Sequence, residues 1–333
     1  MLRASKIQQY LNTMQAKGFD DWQVLEGSGV TAADLRRDAF KLDIPQIQVI
    51  IRNMLSLTDN AALGFDMGAR ITPSDMGVVG QGMIAAPTFR HTIQIWSSYA
   101  PTLFGSLIQI ALKEEAELWR MDITVALPAG IYYQFCLEEY LAIVAHMGER
   151  MLGNRVTYGG LEISYPAPLH QAKYQELFEC PVVFDAPRTC ISVVHPKLDD
   201  FIQTRDEYLF PIYQHYCKRQ SSKAVHENSC AHSVYNYLLK TLGRTPDIED
   251  MAREQLCSAS TIRRRLKNEG LTFRDLRNEF RQDFAQEYLK TTTLTAKEIA
   301  YLLGYHDTKP FLRAFKQWTG MTVGEYSRSF GLG

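Results

Sequence analysis

The sequence predicts an N-terminal domain of mixed α/β (α+β) class, followed by an all-α domain with two helix-turn-helix motifs joined by a long helix. Three observations lead to this prediction. The chain has 333 residues, which is long for one hydrophobic core. Helix-like and strand-like segments alternate in its first two thirds. In its last third, one helical pattern occurs twice.

Composition narrows the class of protein. With 46% hydrophobic and 22% charged residues, the chain is typical of folded globular proteins rather than disordered ones. The first residues lack the apolar core of a signal peptide, and no apolar run approaches the roughly 20 residues that span a bilayer. We therefore expect a cytoplasmic protein with no membrane contact. Six cysteines without any C-x-x-C spacing are typical of reduced thiols.

The elements of the N-terminal domain follow from apolar periodicity. Helical spacing predicts helices at 5–18, 44–58, 89–104, 135–152 and 170–178. Alternation predicts strands at 117–127, 161–165, 181–185 and 189–194. These elements predict helices packed on a small, mostly antiparallel sheet.

Domain boundaries are predicted from a polar stretch without periodicity, KRQSSKAVHENS, at 218–229. It is the best linker candidate in the chain. We expect one domain at 1–217, the linker at 218–229 and a second domain at 230–333.

The repeated pattern lies in the last domain. Ile262, Arg264, Leu266, Lys267, Gly270 and Thr272 have counterparts, 49 and then 50 residues later, at Phe311, Arg313, Phe315, Lys316, Gly320 and Thr322. A short helical segment and a turn precede each copy, which predicts two helix-turn-helix motifs. Ser260 and Thr295 are the predicted N-caps in the first and second motif, and Pro310 fits a first helical turn.

A long helix is predicted between the copies. Phe273, Leu276, Phe280, Phe284 and Tyr288 recur every three or four residues and form one apolar stripe. About 18 residues of helix span about 27 Å. Successive major grooves on one face of B-DNA lie about 34 Å apart, so such a helix suits two recognition helices that enter neighbouring grooves.

The outward faces of the two second helices carry the candidate DNA contacts. A lone basic run, such as the three arginines 263–265, is more often a solvated helix face, and the repetition is what favours DNA. Arg264 and Arg313 occupy matching positions and are the candidates for base edges, because arginine pairs with guanine O6 and N7. The full set of predicted DNA-binding residues is Ser260, Thr261, Arg263, Arg264, Lys267, Thr308, Lys309, Arg313 and Lys316.

These motifs resemble the AraC/XylS family of bacterial transcription regulators. The most specific stretch is EIAYLLGYHDTKPFLRAFKQWTGMTVGEY at 298–326, with Val323 where the family usually has proline. The resemblance implies base-facing roles for Ser260 and Arg264 in the first motif and for Thr308, Lys309 and Arg313 in the second. It also implies promoter half-sites, a homodimer, contact with RNA polymerase and activation.

The first domain resembles the effector region of the ornithine-utilisation-regulator type in the same family, over 68–99, 135–153 and 163–187. The resemblance implies that 1–217 is an effector-sensing and dimerisation domain and that 230–333 is a DNA-binding domain. It does not give the identity of the small-molecule effector. Candidate effector contacts are Arg70, as a partner for an anion, and an aromatic set that is more often plain core: Trp96, Tyr99, Trp119, Tyr132 and Tyr133.

Rival functions remain open at this point. A DNA-repair enzyme can carry such a tail, yet no G-x-S-x-G, H-E-x-x-H or phosphate-loop motif is present, and we expect no enzyme activity. A DNA binder indifferent to ligands is the second rival. Histidines and cysteines near residues 215–232 lack zinc-site spacing, so we expect no metal and no cofactor.

Overall fold

The structure is a computed structural model that describes residues 2–35, 40–104, 107–115, 118–127, 130–153, 156–194, 198–222, 229–255 and 257–329. The chain divides into two compact units, Met1–Arg205 and Asp206–Gly333. Among the described residues, no helix is both long enough and apolar enough to cross a bilayer.

The first unit is mixed α and β, as predicted. Its helices are α1 (Ala4–Ala16), α2 (Asp21–Leu25), α3 (Ala32–Leu35), α4 (Ile44–Thr58), α5 (Leu63–Ala69), a 3-10 helix (Pro73–Met76), α6 (Gly77–Ala85), α7 (Phe89–Phe104), α8 (Ile131–Leu152) and α9 (Ala172–Phe178). Its strands are β1 (Leu2–Arg3), β2 (Lys41–Leu42), β3 (Ile108–Glu114), β4 (Leu118–Val125), β5 (Tyr158–Glu162), β6 (Val182–Val183) and β7 (Thr189–Val194).

Five of these strands form one sheet in the order β3-β4-β7-β5-β6, and β1 pairs separately with β2. Every pair in the larger sheet is antiparallel except β5 with β6. The predicted small, mostly antiparallel sheet is therefore confirmed. The sequence analysis missed the two-residue strands β1 and β2 and, in the larger sheet, β3, an edge strand on which only the first residue, Ile108, is buried.

Helix α8 runs through the core of this unit, and most of its residues are buried. Helix α5 crosses it closely, because a Cβ atom at Gly68 would lie 2.2 Å from the carbonyl oxygen of Glu139. Only glycine permits that approach. The two helices bring polar residues of α8, Glu138 and Glu139, into the protein interior, where both are buried.

The second unit is entirely helical within its described residues. It contains α10 (Leu209–Ser222), α11 (Cys230–Lys240), α12 (Ile248–Glu254), α13 (Ala259–Asn268), α14 (Phe273–Thr291), α15 (Ala296–Leu302), α16 (Thr308–Thr319) and α17 (Val323–Arg328). Helix α14 packs against α10, α11, α16 and α17, and so forms the centre of the unit.

The predicted linker overlaps a helix. Helix α10 continues to Ser222, through the first five positions of the stretch 218–229, which contain no glycine or proline to end it. Tyr216 on α10 donates to Asn236 on α11 and stacks on Tyr235, so α10 packs within the second unit. Residues 223–228 lie outside the described residues, and the domain boundaries at 217 and 230 stay a prediction.

Candidate nucleic-acid interface

The first helix-turn-helix consists of α12 and α13. Asp247 caps α12 by accepting a hydrogen bond from the backbone N–H of Asp250, 2.7 Å away. The cap of α13 is Ser258, whose hydroxyl accepts from the N–H of Thr261. The prediction of Ser260 as the N-cap is wrong by two residues, because Ser260 already lies inside the helix. A serine two positions earlier satisfies the free N–H groups equally well.

The second helix-turn-helix consists of α15 and α16. Thr295 caps α15 in a reciprocal capping box with Glu298, as predicted for Thr295. The chain then turns through Gly304, whose φ is +74°, and Asp307 caps α16. Pro310 lies in the first turn of α16, where its missing N–H is tolerated.

Matching residues in the two copies of the repeat play the same structural roles, as buried side chains or as helix caps. Ile262 and Leu266 are buried in the first, as are Phe311 and Phe315 in the second. The threonine that ends each copy caps the next helix: Thr272 caps α14 and Thr322 caps α17. Thr322 forms a capping box with Glu325. This box stabilises the N-terminus of α17 although Val323 replaces the family's proline.

Helix α14 is anchored to the turn of the second motif by Arg281. Its Nε donates to the carbonyl oxygen of Leu303 at 3.0 Å, and its guanidinium lies 4.4 Å from the ring centre of Tyr305. Burial lowers the pKa of Arg281. At the other end of the unit, Glu269 accepts from the N–H groups of Cys230 and Ala231 and so caps α11. These contacts fix both motifs to one framework.

Most of the predicted DNA-binding residues lie away from the buried pair of their recognition helix. Thr308 does not, because it lies three residues before Phe311 and seven before Phe315, on the same side of α16. All predicted residues are solvent-accessible: Thr261 and Thr308 are partly exposed, and the exposed residues are Ser260, Arg263, Arg264, Lys267, Lys309, Arg313 and Lys316. Within the described part of the unit, Arg264 and Arg313 form no ion pair, so both guanidinium groups are available to an outside acceptor.

Arg263 differs from its neighbours. Its Nη2 donates to Oε1 of Glu249, which lies in the first turn of α12. Sequence reasoning did not predict this pair, because the two residues lie on different helices. The negative charge of Glu249 partly neutralises this end of the surface, which leaves Arg264 as the stronger candidate for a nucleic-acid contact.

The candidate effector residues are dispersed through the first unit. Trp96 is buried and donates to the hydroxyl of Tyr140, and Trp119 is buried on β4 beneath the guanidinium of Arg90. Both are core residues. Tyr132 and Tyr133 are half-buried at the start of α8, where the hydroxyl of Tyr133 lies 3.0 Å from that of Ser164. Tyr99 belongs to α7, and its side chain lies outside the described residues.

Arg70 is the one candidate that lines a described cavity. The cavity has a volume of about 380 Å³ and lies among α1, α5, the 3-10 helix and α8. Its ionisable lining residues are Lys6, Arg70, Asp75 and Glu139. Lys6 and Glu139 are buried and form an ion pair at 2.7 Å, and the hydroxyl of Tyr10 donates to Glu139 at 2.8 Å.

A second buried polar cluster, also missed from sequence, surrounds Glu138. Tyr174 donates to its Oε1 at 2.6 Å, Gln134 donates at 2.8 Å, and Nε2 of His170 lies 2.7 Å away. Burial raises the pKa of Glu138. The signal was present in the sequence as two adjacent glutamates within the apolar helix FCLEEYLAIVAHMG.

Two regions of the chain match models of known protein families. A family model described as the arabinose-binding domain of AraC transcription regulators, N-terminal, matches residues 18–199. A helix-turn-helix domain model matches residues 251–329. The ornithine utilization regulator of Pseudomonas aeruginosa is 26% identical over 271 residues, which cover 81% of this chain and 80% of the relative.

Two further proteins are similar over nearly the whole chain. An uncharacterized HTH-type transcriptional regulator of Mycobacterium tuberculosis is 26% identical over 94% of this chain and 92% of its own. The crystal structure of the transcriptional regulator CdpR from Pseudomonas aeruginosa aligns with a TM-score of 0.45 and 22% identity, over 93% of this chain and 98% of that one.

The relatives from Pseudomonas aeruginosa and Mycobacterium tuberculosis that match most of this chain in sequence are both named as regulators. The helix-turn-helix match contains both recognition helices described above, α13 and α16. The N-terminal family model alone covers more than half of the sequence. The protein therefore belongs to the AraC family of DNA-binding transcription regulators.

Proposed function

We propose that the protein is a ligand-responsive transcription activator that inserts α13 and α16 into successive major grooves of a promoter half-site. The observation that carries the proposal is the duplicated face: each recognition helix buries two apolar residues and exposes an arginine at the same position, Arg264 or Arg313. Helix α14 has 19 residues, which correspond to about 28 Å of helix. That length is compatible with two grooves about 34 Å apart.

We further propose that the chain acts as a homodimer that contacts RNA polymerase. Two half-sites in a promoter require two copies of the DNA-binding unit. An effector bound to the first unit would shift the population toward the arrangement that fits both half-sites, provided that it binds that arrangement more tightly.

The cavity lined by Arg70 is our candidate for the effector site. Its lining carries two cations and two carboxylates, which favours a small polar molecule with charged groups over an apolar one. Lys6 and Glu139 already form an ion pair with each other, whereas Arg70 is exposed and can donate hydrogen bonds to a ligand carboxylate. Because one relative is named for ornithine utilization, amino acids and diamines are the first compounds to test.

For the DNA surface, we expect Arg313→Ala to weaken binding to the preferred site by roughly 1–3 kcal/mol and to relax preference at one base pair. Lys316→Ala is the matched control on the same exposed face, and it should weaken binding to all sequences and reduce the slope of log K against log salt by about one. Titration of selected and random duplexes at several salt concentrations, with footprinting of the selected duplex, measures both effects. Equal losses on selected and random duplexes for Arg313→Ala, or protection of a single groove, would contradict the proposal.

For the effector site, we expect at least one compound from a library of amino acids, diamines and organic acids to raise the melting temperature of the wild-type protein. Arg70→Ala should abolish this rise, while Arg313→Ala should retain it, because Arg313 lies in the other unit. Thermal shift measurements on the three proteins test this prediction. If no compound stabilises the wild type while it binds DNA specifically, the protein is a ligand-independent DNA binder.

A further inference from the structure

The second recognition helix exposes an apolar side chain at the edge of its polar face. Leu312 on α16 retains 40% of its surface in contact with solvent. It lies one helical turn before Lys316 and directly precedes Arg313, so it borders the face that carries these two cations. The helix buries Phe311 and Phe315 on its other side.

The first recognition helix shows that this position does not require leucine for folding. Under the repeat offset of 49 residues, Leu312 corresponds to Arg263, which is exposed and is paired with Glu249. The flanking positions are alike in both copies, with a buried apolar residue before and an exposed arginine after. The two helices therefore match at Arg264 and Arg313, but one residue earlier the first has the charged Arg263 and the second the apolar Leu312.

A single exposed leucine on a protein surface is ordinary, so exposure alone assigns no role. The position of Leu312 on a helix proposed to enter the major groove is what suggests a role. In a major groove, the edges of the base pairs present hydrogen-bond donors and acceptors together with one apolar group, the 5-methyl group of thymine. An apolar side chain next to an arginine on a groove-entering helix can contact only that methyl group favourably, whereas contact with polar base edges would remove water from them without replacement.

We propose that Leu312 reads a thymine through its 5-methyl group, at a base pair neighbouring the one that Arg313 reads. The inference rests on the proposed insertion of α16 into the major groove and adds a specificity that the first motif, with Arg263 at the matching position, does not have. The two motifs then recognise different base sequences although they share one fold.

The test replaces thymine by deoxyuridine, which removes the methyl group and leaves every hydrogen-bonding atom in place. A site is first selected from random duplexes with the full-length wild-type protein, and each thymine in it is then replaced singly. We expect one replacement to weaken binding about fourfold, the factor that corresponds to the burial of one methyl group. The same replacement should leave the affinity of Leu312→Ala unchanged.

Controls separate this role from others. Leu312→Met keeps an apolar side chain of similar size and should retain most of the sensitivity to deoxyuridine. Leu312→Ala should keep the salt dependence of the wild type, unlike Lys316→Ala, because leucine releases no counterion. Its helix should form normally, since alanine is the best helix former.

The outcomes distinguish this inference from the function on which it rests. If the protein binds its selected site specifically and no deoxyuridine replacement matters, or if Leu312→Ala remains as sensitive as the wild type, the role of Leu312 is rejected while DNA binding stands. If no sequence is selected at all, the proposed function fails together with the inference.

Discussion

Replacing Lys6 with methionine is expected to destabilise the first unit by about 3–5 kcal/mol, because it leaves the buried carboxylate of Glu139 without its cation. The two side chains are almost fully buried and lie 2.7 Å apart. Tyr10 donates to the other oxygen of Glu139, and this one neutral hydrogen bond cannot replace the lost charge. Native-state hydrogen exchange of peptides from α8 measures the effect in the unit concerned, since a chain with two units need not unfold in one step.

Two control variants test whether the buried charge is the cause. The double variant Lys6→Met/Glu139→Gln should recover much of the loss, since the neutral amide still accepts from Tyr10. Lys17 pairs with Asp66 at 3.4 Å near the surface, and Lys17→Met should lower stability by less than about 1 kcal/mol. A double variant as unstable as Lys6→Met alone would show that the loss comes from packing and not from charge.

Replacing Gly304 with alanine is expected to destabilise the second unit by roughly 3 kcal/mol or more. Gly304 has a φ of +74°, which an alanine adopts only with strain. The new methyl group would also lie 2.0 Å from the carbonyl oxygen of Arg244, so the loop before α12 must move away from the turn between α15 and α16. We expect faster hydrogen exchange in α14, α15 and α16, and a loss of specific DNA binding.

Gly320 provides the matched control. Its φ of +75° is nearly the same, but a Cβ atom there would meet no atom within 4 Å. Gly320→Ala should therefore show the backbone strain alone, roughly 1–2 kcal/mol. If the two alanine variants were equally unstable, the close approach of Arg244 to Gly304 would contribute nothing measurable to stability. The second motif would then be stabilised mainly by Arg281 and by the buried rings of α16.

The sequence predicted some elements with a buried face accurately, although it missed the largely buried helices α5 and α6. The helices at 44–58 and 89–104 and the strand at 189–194 match the structure at both ends. Strand β3 was missed, although Ile108, Ile110 and Leu112 alternate with more polar residues, because the strand lies at the edge of the sheet and buries little. The cap of α13 was misplaced since several serines in succession can satisfy the same N–H groups.

The proposed DNA surface rests on local signals in the sequence. Apolar spacing in α13 and α16 identifies the buried side, and the outward residues follow from helix geometry. The effector region was not predictable in this way. Its aromatic candidates Trp96 and Trp119 proved to be core residues, while the charged cavity depends on Lys6 and Glu139, which pair across more than a hundred positions of sequence.

By itself, the sequence determined the class of each domain, the duplicated motif, the long helix between its copies and the face that each recognition helix exposes. Only the tertiary structure decided that Glu249 binds Arg263, that Glu269 caps α11, that Arg244 excludes a side chain at Gly304, and that Lys6 and Glu139 meet inside the first unit. The reason is physical: periodicity and capping depend on residues three or four positions apart, whereas the partner of a side chain on another element is set by how the elements pack.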